Sequence, residues 1–473
     1  MEPRSLEFIA AACDGEIRWG SSETLVTRVC TDSRQLKPGD LFVALVGEKF
    51  DAHDYLVEAS QTGAMALLVS REKIIRTTGL SDSVALIVVE DTRVALGRLA
   101  ARYRADFDLP VVAIGGSNGK TTTKELLASV LRQTGETLWS EASFNNDIGV
   151  PLTLLKLERR HRAAVIEVGT NHPGELLPLL KIVQPRLGVL TNIGREHLEF
   201  FGDLAGVAQE EGCLAEFLRP SGKLFISGDG EWTPAIVRRT KAVVVKVGSG
   251  AGNEWRAKNI RVGEDGVRFE VESPRSEFDG AYRLRVLGRH QVPNALLALS
   301  VGMELGATPE QARRGLAECE PPKMRLQIWE ANGVRVLDDA YNANADSMLA
   351  ALQTLHDLPC KGRRVAVLGD MAELGQHTAA AHREIGRRSF ELGVNCLMAV
   401  GRFAHETAQA AEAAGLKDVN EFEDVPAAAV AVKKMVRPGD VVLLKASRAT
   451  GLERVGEALR AGRGTVGRDS VEP

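Results

Sequence analysis

The stretch VVAIGGSNGKTTTKE, Val111–Glu125, restricts what this chain can become more than any other. The apolar run Leu109–Ile114 reads as a strand and meets a loop of small residues, Gly115, Gly116, Ser117, Asn118 and Gly119. Lys120, Thr121 and Thr122 then open a segment whose Leu126, Leu127, Val130 and Leu131 share one helical face. Strand, glycine loop, Lys-Thr and helix together describe a phosphate cradle. Glycines let backbone N–H groups approach phosphate oxygens, and the helix N-terminus adds its positive dipole. In such a cradle Lys120 reaches the β- and γ-phosphates and the Thr121 hydroxyl holds Mg²⁺. The full motif has a glycine five places before Gly119, where this chain has Ile114. A glycine-rich turn without a ligand is the competing reading; the context favours ATP.

A chain of 473 residues is too long for one ordinary core and implies three domains. Its 44% hydrophobic and 26% charged content is that of a soluble globular protein. The net charge of −4 is spread along the chain, which argues against a nucleic-acid or membrane surface. No apolar run approaches the ~18 residues that span a bilayer. The start, MEPRSLEFIAAACDGE, has acids on both sides of a short apolar stretch and reads as an amphipathic helix, not a signal peptide. Six dispersed cysteines without a C-x-x-C pair point to a reducing cytoplasm.

In chain order, residues 1–107 form a first unit with strands at Leu41–Leu45, Ala66–Val69 and Ala85–Val89 and a closing helix at Arg93–Tyr103. Its polar stretch Thr31, Asp32, Ser33, Arg34 is either a turn or a binding loop. A second unit, 108–320, holds the phosphate loop and the strand AAVIEV, which ends in Glu167. A carboxylate at a strand end beside a phosphate-loop strand is where a Mg²⁺ ligand belongs. The strand Leu187–Leu190 then runs into a polar segment carrying His197, placed to converge with Lys120 and Glu167. Residues 223–290 turn β-rich and read as an inserted small sheet. His290 and Asn294 follow on one helical face. The third unit, 321–473, alternates strands (VRVLDD, RRVAVLGD, CLMAVG, DVVLLKAS) with helices, the pattern of a doubly wound parallel sheet. Polar clusters follow its strand ends, where open α/β sheets bind ligands: Asp338 and Asp339 with Tyr341, Asn342 and Asn344; Asp370 with Glu373; Lys445 with Ser447 and Arg448. The last residues, GRGTVGRDSVEP, read as frayed.

Together these blocks resemble the Mur ligases, the ATP-dependent amide-forming enzymes of peptidoglycan precursor synthesis. G-S-N-G-K-T-T stands at Gly116–Thr122, N-N-x-I-G-V-P-L at Asn145–Leu152 and E-V-G-T-N-H-P-G-E at Glu167–Glu175. T-N-I-G-x-x-H-L-E-x-F-G stands at Thr191–Gly202, G-x-H-x-x-x-N at Gly288–Asn294, D-D-x-Y-N-A-N-x-x-S-M at Asp338–Met348 and L-G-D-M-x-E-L-G at Leu368–Gly375. Within the family, T-D-S-R…P-G-D-L-F-V-A-L and D-D-A-Y-N-A-N resemble the member that joins D-alanyl-D-alanine to a UDP-N-acetylmuramoyl-tripeptide.

The resemblance implies an α/β, three-domain Mur ligase architecture: an N-terminal UDP-binding domain, a P-loop ATPase domain and a Rossmann-like C-terminal domain. It implies phosphorylation of a substrate carboxylate by ATP and attack of an amine on the acyl-phosphate. By position, Gly116, Ser117, Asn118, Gly119, Lys120, Thr121 and Thr122 hold the phosphates, and Thr121, Glu167 and His197 hold Mg²⁺. Lys120, Glu167 and His197 are the implied catalytic residues. Asn294, Asp339, Tyr341 and Asn342 grip adenine and ribose, with Arg325 a further nucleotide contact. Thr31, Asp32, Ser33 and Arg34 hold the uridine diphosphate end; Lys445, Ser447 and Arg448 are candidates for the dipeptide carboxylate. One departure stands out. The family's carbamylated metal-binding lysine falls fourteen residues after His197, and here that position is Glu211, beside Glu210. Either Glu211 supplies the carboxylate directly or both acids lie on a helix surface. The family expectation is a cytoplasmic monomer. Diaminopimelate or lysine as third peptide residue stays open, as do three rivals: a sister ligase adding one amino acid, a folylpolyglutamate synthase and a non-catalytic paralogue.

Overall fold

The computed structural model describes residues 1–77, 79–81 and 83–461, so the expected fraying of Gly462–Pro473 lies outside the described residues. Three main sheets follow one another along the chain. The N-terminal sheet has the order Glu16–Trp19, Ala85–Val89, Ala66–Ser70, Asp40–Val43, Arg28–Cys30, parallel except at its first pair. Ser5 caps the first helix, Leu6–Cys13, by accepting from Phe8 N–H at 3.2 Å. Asp91 caps the closing helix Thr92–Arg104 with bonds from Arg93 and Val94 N–H at 2.7 and 2.9 Å. That helix packs the N-terminal sheet onto the central one. Its Tyr103 hydroxyl donates to the Leu157 carbonyl at 2.6 Å inside an apolar cluster shared by both.

The central sheet has nine strands and carries the phosphate-loop strand Val111–Gly115 in its interior, between Leu187–Leu190 and Ala163–Glu167. All three strands are buried on both faces, which is why they read as continuous apolar runs. Residues 223–290 correct the sequence reading: they form no separate sheet but extend this one. Lys223–Ser227 pairs in parallel with Leu187–Leu190, then come Val243–Gly248 and Trp255–Gly263, and Gly266–Glu272 and Gly280–Leu284 close it as an antiparallel meander. The reason is a common core. Phe225, Trp255, Phe269 and Leu284 pack with Leu296, Leu299 and Val301 of helix Gln291–Glu304 and with Leu127 and Val130 of the phosphate-loop helix.

The C-terminal sheet has six strands in the order Gln327–Ala331, Val334–Asp338, Val441–Lys445, Arg364–Gly369, Cys396–Val400, Asp418–Phe422. Five are parallel, with the helices expected between them. The first is an antiparallel edge joined through Asn332-Gly333, both at positive φ (53° and 74°), the two-residue turn that matches strand twist. That Asn-Gly pair was the local signal for a strand the alternation pattern passes over. Among the described residues no helix is long and apolar enough to cross a membrane.

Candidate active site

A cleft of about 570 Å³ opens where the carboxyl ends of the central and C-terminal sheets face each other. Its floor is the phosphate loop. Two glycines there are sterically required: Gly116 (φ 109°) has no room for a Cβ beside the Thr191 hydroxyl, and Gly119 (φ 84°) none beside the Asn294 amide. The loop is tied to the neighbouring strand end, with Ser117 N–H donating to Asn192 O at 2.9 Å and Asn118 N–H to Asn192 Oδ1 at 2.8 Å. No side chain caps helix Lys120–Arg132, so its first turn offers its amides to the cleft. Ser117, Asn118, Gly119, Lys120, Thr121 and Thr122 all line the cleft, with Gly116 bonded beneath them.

Lys120 Nζ folds back onto the Gly116 carbonyl and lies 3.3 Å from Glu196 Oε2. Burial opposes its charge, but Glu196, Glu211 and Glu167 prevail and raise its pKa. Thr121 Oγ1 donates to Glu167 Oε1 at 3.2 Å, and Asn145 Nδ2 donates to the same oxygen at 2.9 Å. Glu167 Oε2 is buried without a hydrogen-bond partner. The buried Lys124 Nζ lies 3.8 Å from that oxygen. A hydroxyl beside a carboxylate oxygen that no hydrogen bond occupies suits Mg²⁺, which takes one or two carboxylates plus substrate phosphates. Among the described residues no group of three or more His, Cys, Asp or Glu is placed to hold a metal ion by itself. His197 lines the same cleft, with Nδ1 2.5 Å from Glu373 Oε2.

The opposite stretch of the cleft is built from both the central and the C-terminal parts of the chain. Asn294, Arg325, Asp339, Tyr341 and Asn342 line one stretch of wall, with the Arg325 guanidinium 4.3 Å from the Tyr341 ring centroid and donating to Ser143 Oγ at 3.1 Å. Lys445 belongs here too. Only 2% exposed, it donates to Asp339 Oδ2 at 2.5 Å and to the Asn342 carbonyl at 3.1 Å. Ser447 is equally committed, donating to Ala343 O at 3.1 Å and accepting from Ala372 N–H at 2.8 Å. Of the three residues expected at the dipeptide carboxylate, Lys445 and Ser447 line the cleft, while Arg448, exposed and 3.5 Å from Glu453, is absent from its lining.

Two groups named from the sequence lie away from the cleft. Thr31, Asp32, Ser33 and Arg34 sit on the N-terminal sheet's rim, where Arg34 grips both oxygens of Asp32 at 2.8 Å and holds its pKa at about 2. Glu210 and Glu211 are not surface acids; they are 6% and 1% exposed. Glu210 accepts the N–H groups of Gly174 and Leu176 at 2.8 Å and so supports helix Leu176–Val183. Glu211 Oε2 accepts Gly116 N–H at 2.7 Å from behind the phosphate loop, and its other oxygen is buried and unpaired. It is absent from the cleft wall, and burial raises its pKa to about 8 against the opposing pull of Lys120. Arg195 and Glu196 carry no signal in the sequence beyond adjacency to His197. Asp370 and Glu373, a single polar cluster in the sequence, part company: Asp370 accepts the N–H groups of Arg402 and Phe403, and Glu373 lines the cleft.

Three family descriptions match consecutive parts of the chain: "Mur ligase family, catalytic domain" at residues 25–104, "Mur ligase middle domain" at 114–302 and "Mur ligase, glutamate ligase domain" at 324–448. The UDP-N-acetylmuramoyl-tripeptide--D-alanyl-D-alanine ligase of Escherichia coli (strain K12) is 38% identical over 464 residues, covering 96% of this chain and 98% of that protein. The chain belongs to the Mur ligase family. A Bacillus subtilis (strain 168) ligase of the same name is 32% identical over 96% of this Mur ligase and 98% of its own length. Among solved structures, MurF from Acinetobacter baumannii superposes with a TM-score of 0.87 at 32% identity, covering 98% of this chain and 99% of that one. MurF ligase from Thermotoga maritima in complex with ADP gives 0.79 at 28%, covering 92% and 97%. A Mycobacterium tuberculosis folylpolyglutamate synthase shares the fold alone, at 0.60 and 17% identity over 78% of this Mur ligase and 95% of that chain.

Proposed function

We propose that this Mur ligase joins D-alanyl-D-alanine to UDP-N-acetylmuramoyl-tripeptide with cleavage of ATP to ADP and phosphate, as a cytoplasmic monomer. The observation that carries the reading is a single cleft in which Lys120, Thr121, Glu167 and His197 meet a nucleotide wall from the adjoining domain. Whole-length similarity to ligases of that name supports the substrate pair. Residues 1–107 are assigned to the uridine diphosphate end, 108–320 to ATP and 321–473 to the dipeptide. Amide formation proceeds by phosphorylation of the tripeptide carboxylate, attack of the dipeptide amine on the acyl-phosphate, and collapse to amide and phosphate.

Each residue's part follows from its place. The amides at the first turn of helix Lys120–Arg132 and the Lys120 side chain stabilise the transferring phosphoryl group, whose chemistry is chiefly positioning and charge compensation. To do so Lys120 must exchange the Gly116 carbonyl and Glu196 for phosphate oxygens, a short swing from its present position. Thr121 and Glu167 would hold Mg²⁺ at the nucleotide, and His197 a second one nearer the carboxylate. Mg²⁺ supplies charge neutralisation between two anions that must approach each other. Arg325 and Tyr341 clamp the base and ribose across the domain junction, and closure of the C-terminal domain excludes water that would hydrolyse the acyl-phosphate. The test is phosphate release with Mg-ATP and UDP-N-acetylmuramoyl-tripeptide, with and without D-alanyl-D-alanine. Dipeptide-dependent release, with a product heavier by the dipeptide less water, is expected. Turnover with a single amino acid instead overturns the substrate assignment.

A further inference from the structure

Beside the reacting end of the cleft, the central-domain segment Glu196–Gly202, which carries the short helix Leu198–Phe201, meets the C-terminal segment Met371–Gly375. His197 Nδ1 is buried and lies 2.5 Å from Glu373 Oε2, a charge contact without hydrogen-bond geometry, and Glu199 N–H donates to the Glu373 carbonyl at 3.0 Å. Both residues hold left-handed backbone, φ 47° at His197 and 60° at Glu373, a conformation side chains disfavour. Two such residues facing each other across a domain boundary point to a functional joint. The joint is anchored on both sides. Leu198 and Phe201 share an apolar cluster with Met371 and Leu374, and His377 Nε2 lies 3.1 Å from the Gly202 carbonyl.

An isolated imidazole rotates about its Cβ–Cγ bond and exchanges tautomers. A carboxylate on Nδ1 fixes both, leaving Nε2 as the nitrogen that serves the cleft. We propose that Glu373 is the positioning residue for His197, delivered by the C-terminal domain, so that the histidine takes its working orientation only when the two domains close. Closure and completion of the reacting centre are then one event, and the open enzyme holds ATP beside an unfinished site. This rests on the reading that His197 holds the cation beside the reacting carboxylate.

The test is a Mn²⁺ titration of the full-length protein followed by electron paramagnetic resonance, with a non-hydrolysable ATP analogue and UDP-N-acetylmuramoyl-tripeptide present. Glu373→Ala should weaken the second Mn²⁺ roughly 10–100-fold and leave the first, at Thr121 and Glu167, within about twofold. Glu373→Gln, which keeps an oxygen acceptor for Nδ1–H, should fall between, and kcat should drop while KM for ATP holds. Unchanged affinity for the second Mn²⁺ in Glu373→Ala overturns the proposal, as does uptake of a single Mn²⁺ by the wild type. A parallel fall in nucleotide affinity, both Mn²⁺ affinities and melting temperature also overturns it, because that pattern is loss of interface packing. Dipeptide-dependent phosphate release by the wild type, measured alongside, tests the functional reading separately.

Discussion

Removing the Arg195 side chain should open the cleft. Arg195 Nε donates to Asp346 Oδ1 at 2.7 Å and Nη1 to Glu384 Oε2 at 2.6 Å, both across the junction between the central and C-terminal domains. Its backbone N–H donates to Asp346 Oδ2 at 2.7 Å and survives substitution. Arg195→Ala therefore deletes two charge-assisted bonds and leaves Asp346 partly satisfied. The three side chains are 28%, 36% and 31% exposed, between the buried and surface regimes. Bonds to charged groups contribute about 1.5–3 kcal/mol when protected and about 0–1 at the surface, so the pair stabilises the closed form by about 1–2 kcal/mol. That is roughly a 5–30-fold change in the closed-to-open ratio. Distance measurements between spin labels on the two domains, with an ATP analogue bound, should show the open population rising by that factor. KM for ATP should rise with it, since residues of both domains line the cleft proposed to hold the nucleotide. Adding Asp346→Ala should cost less than the sum of the single changes. An unchanged distance distribution with an unchanged KM refutes the clasp.

Gly119→Ala forces a side chain into left-handed backbone and against the Asn294 amide, 2.6 Å from its Oδ1. It should cost about 1–2 kcal/mol of local stability and weaken nucleotide binding measured by calorimetry. Lys120→Ala should lower kcat roughly 10²–10³-fold with the circular dichroism spectrum intact. Glu211, at about 8 against an ordinary 4.5, binds its proton more tightly folded than unfolded, so its contribution to stability is lost as pH rises from 4.5 through about 8. Glu211→Gln, which keeps an acceptor for Gly116 N–H, should flatten that part of the profile in denaturant titrations; an unchanged slope removes Glu211 as the group responsible. Wild-type turnover by Glu211→Ala at limiting Mg²⁺ would likewise remove any part for it in metal binding.

The sequence by itself determined the phosphate loop, the strand Ala163–Glu167 that ends at its carboxylate, the strand–helix alternation of the C-terminal sheet and the family. Those features are written in neighbouring residues: apolar runs, glycines at forced φ, and helical spacing. Only the tertiary structure decided where polar side chains find partners. Lys445 turned to Asp339, Glu211 went behind the loop to Gly116, and Arg195, Glu196 and His197, adjacent in sequence, reached Asp346, Lys120 and Glu373. The β-rich stretch 223–290 joined the central sheet because its apolar residues share a core with helix Gln291–Glu304. Local pattern fixes which face of an element is apolar. It does not encode which distant charge will stand opposite, because that depends on how the packed domains meet.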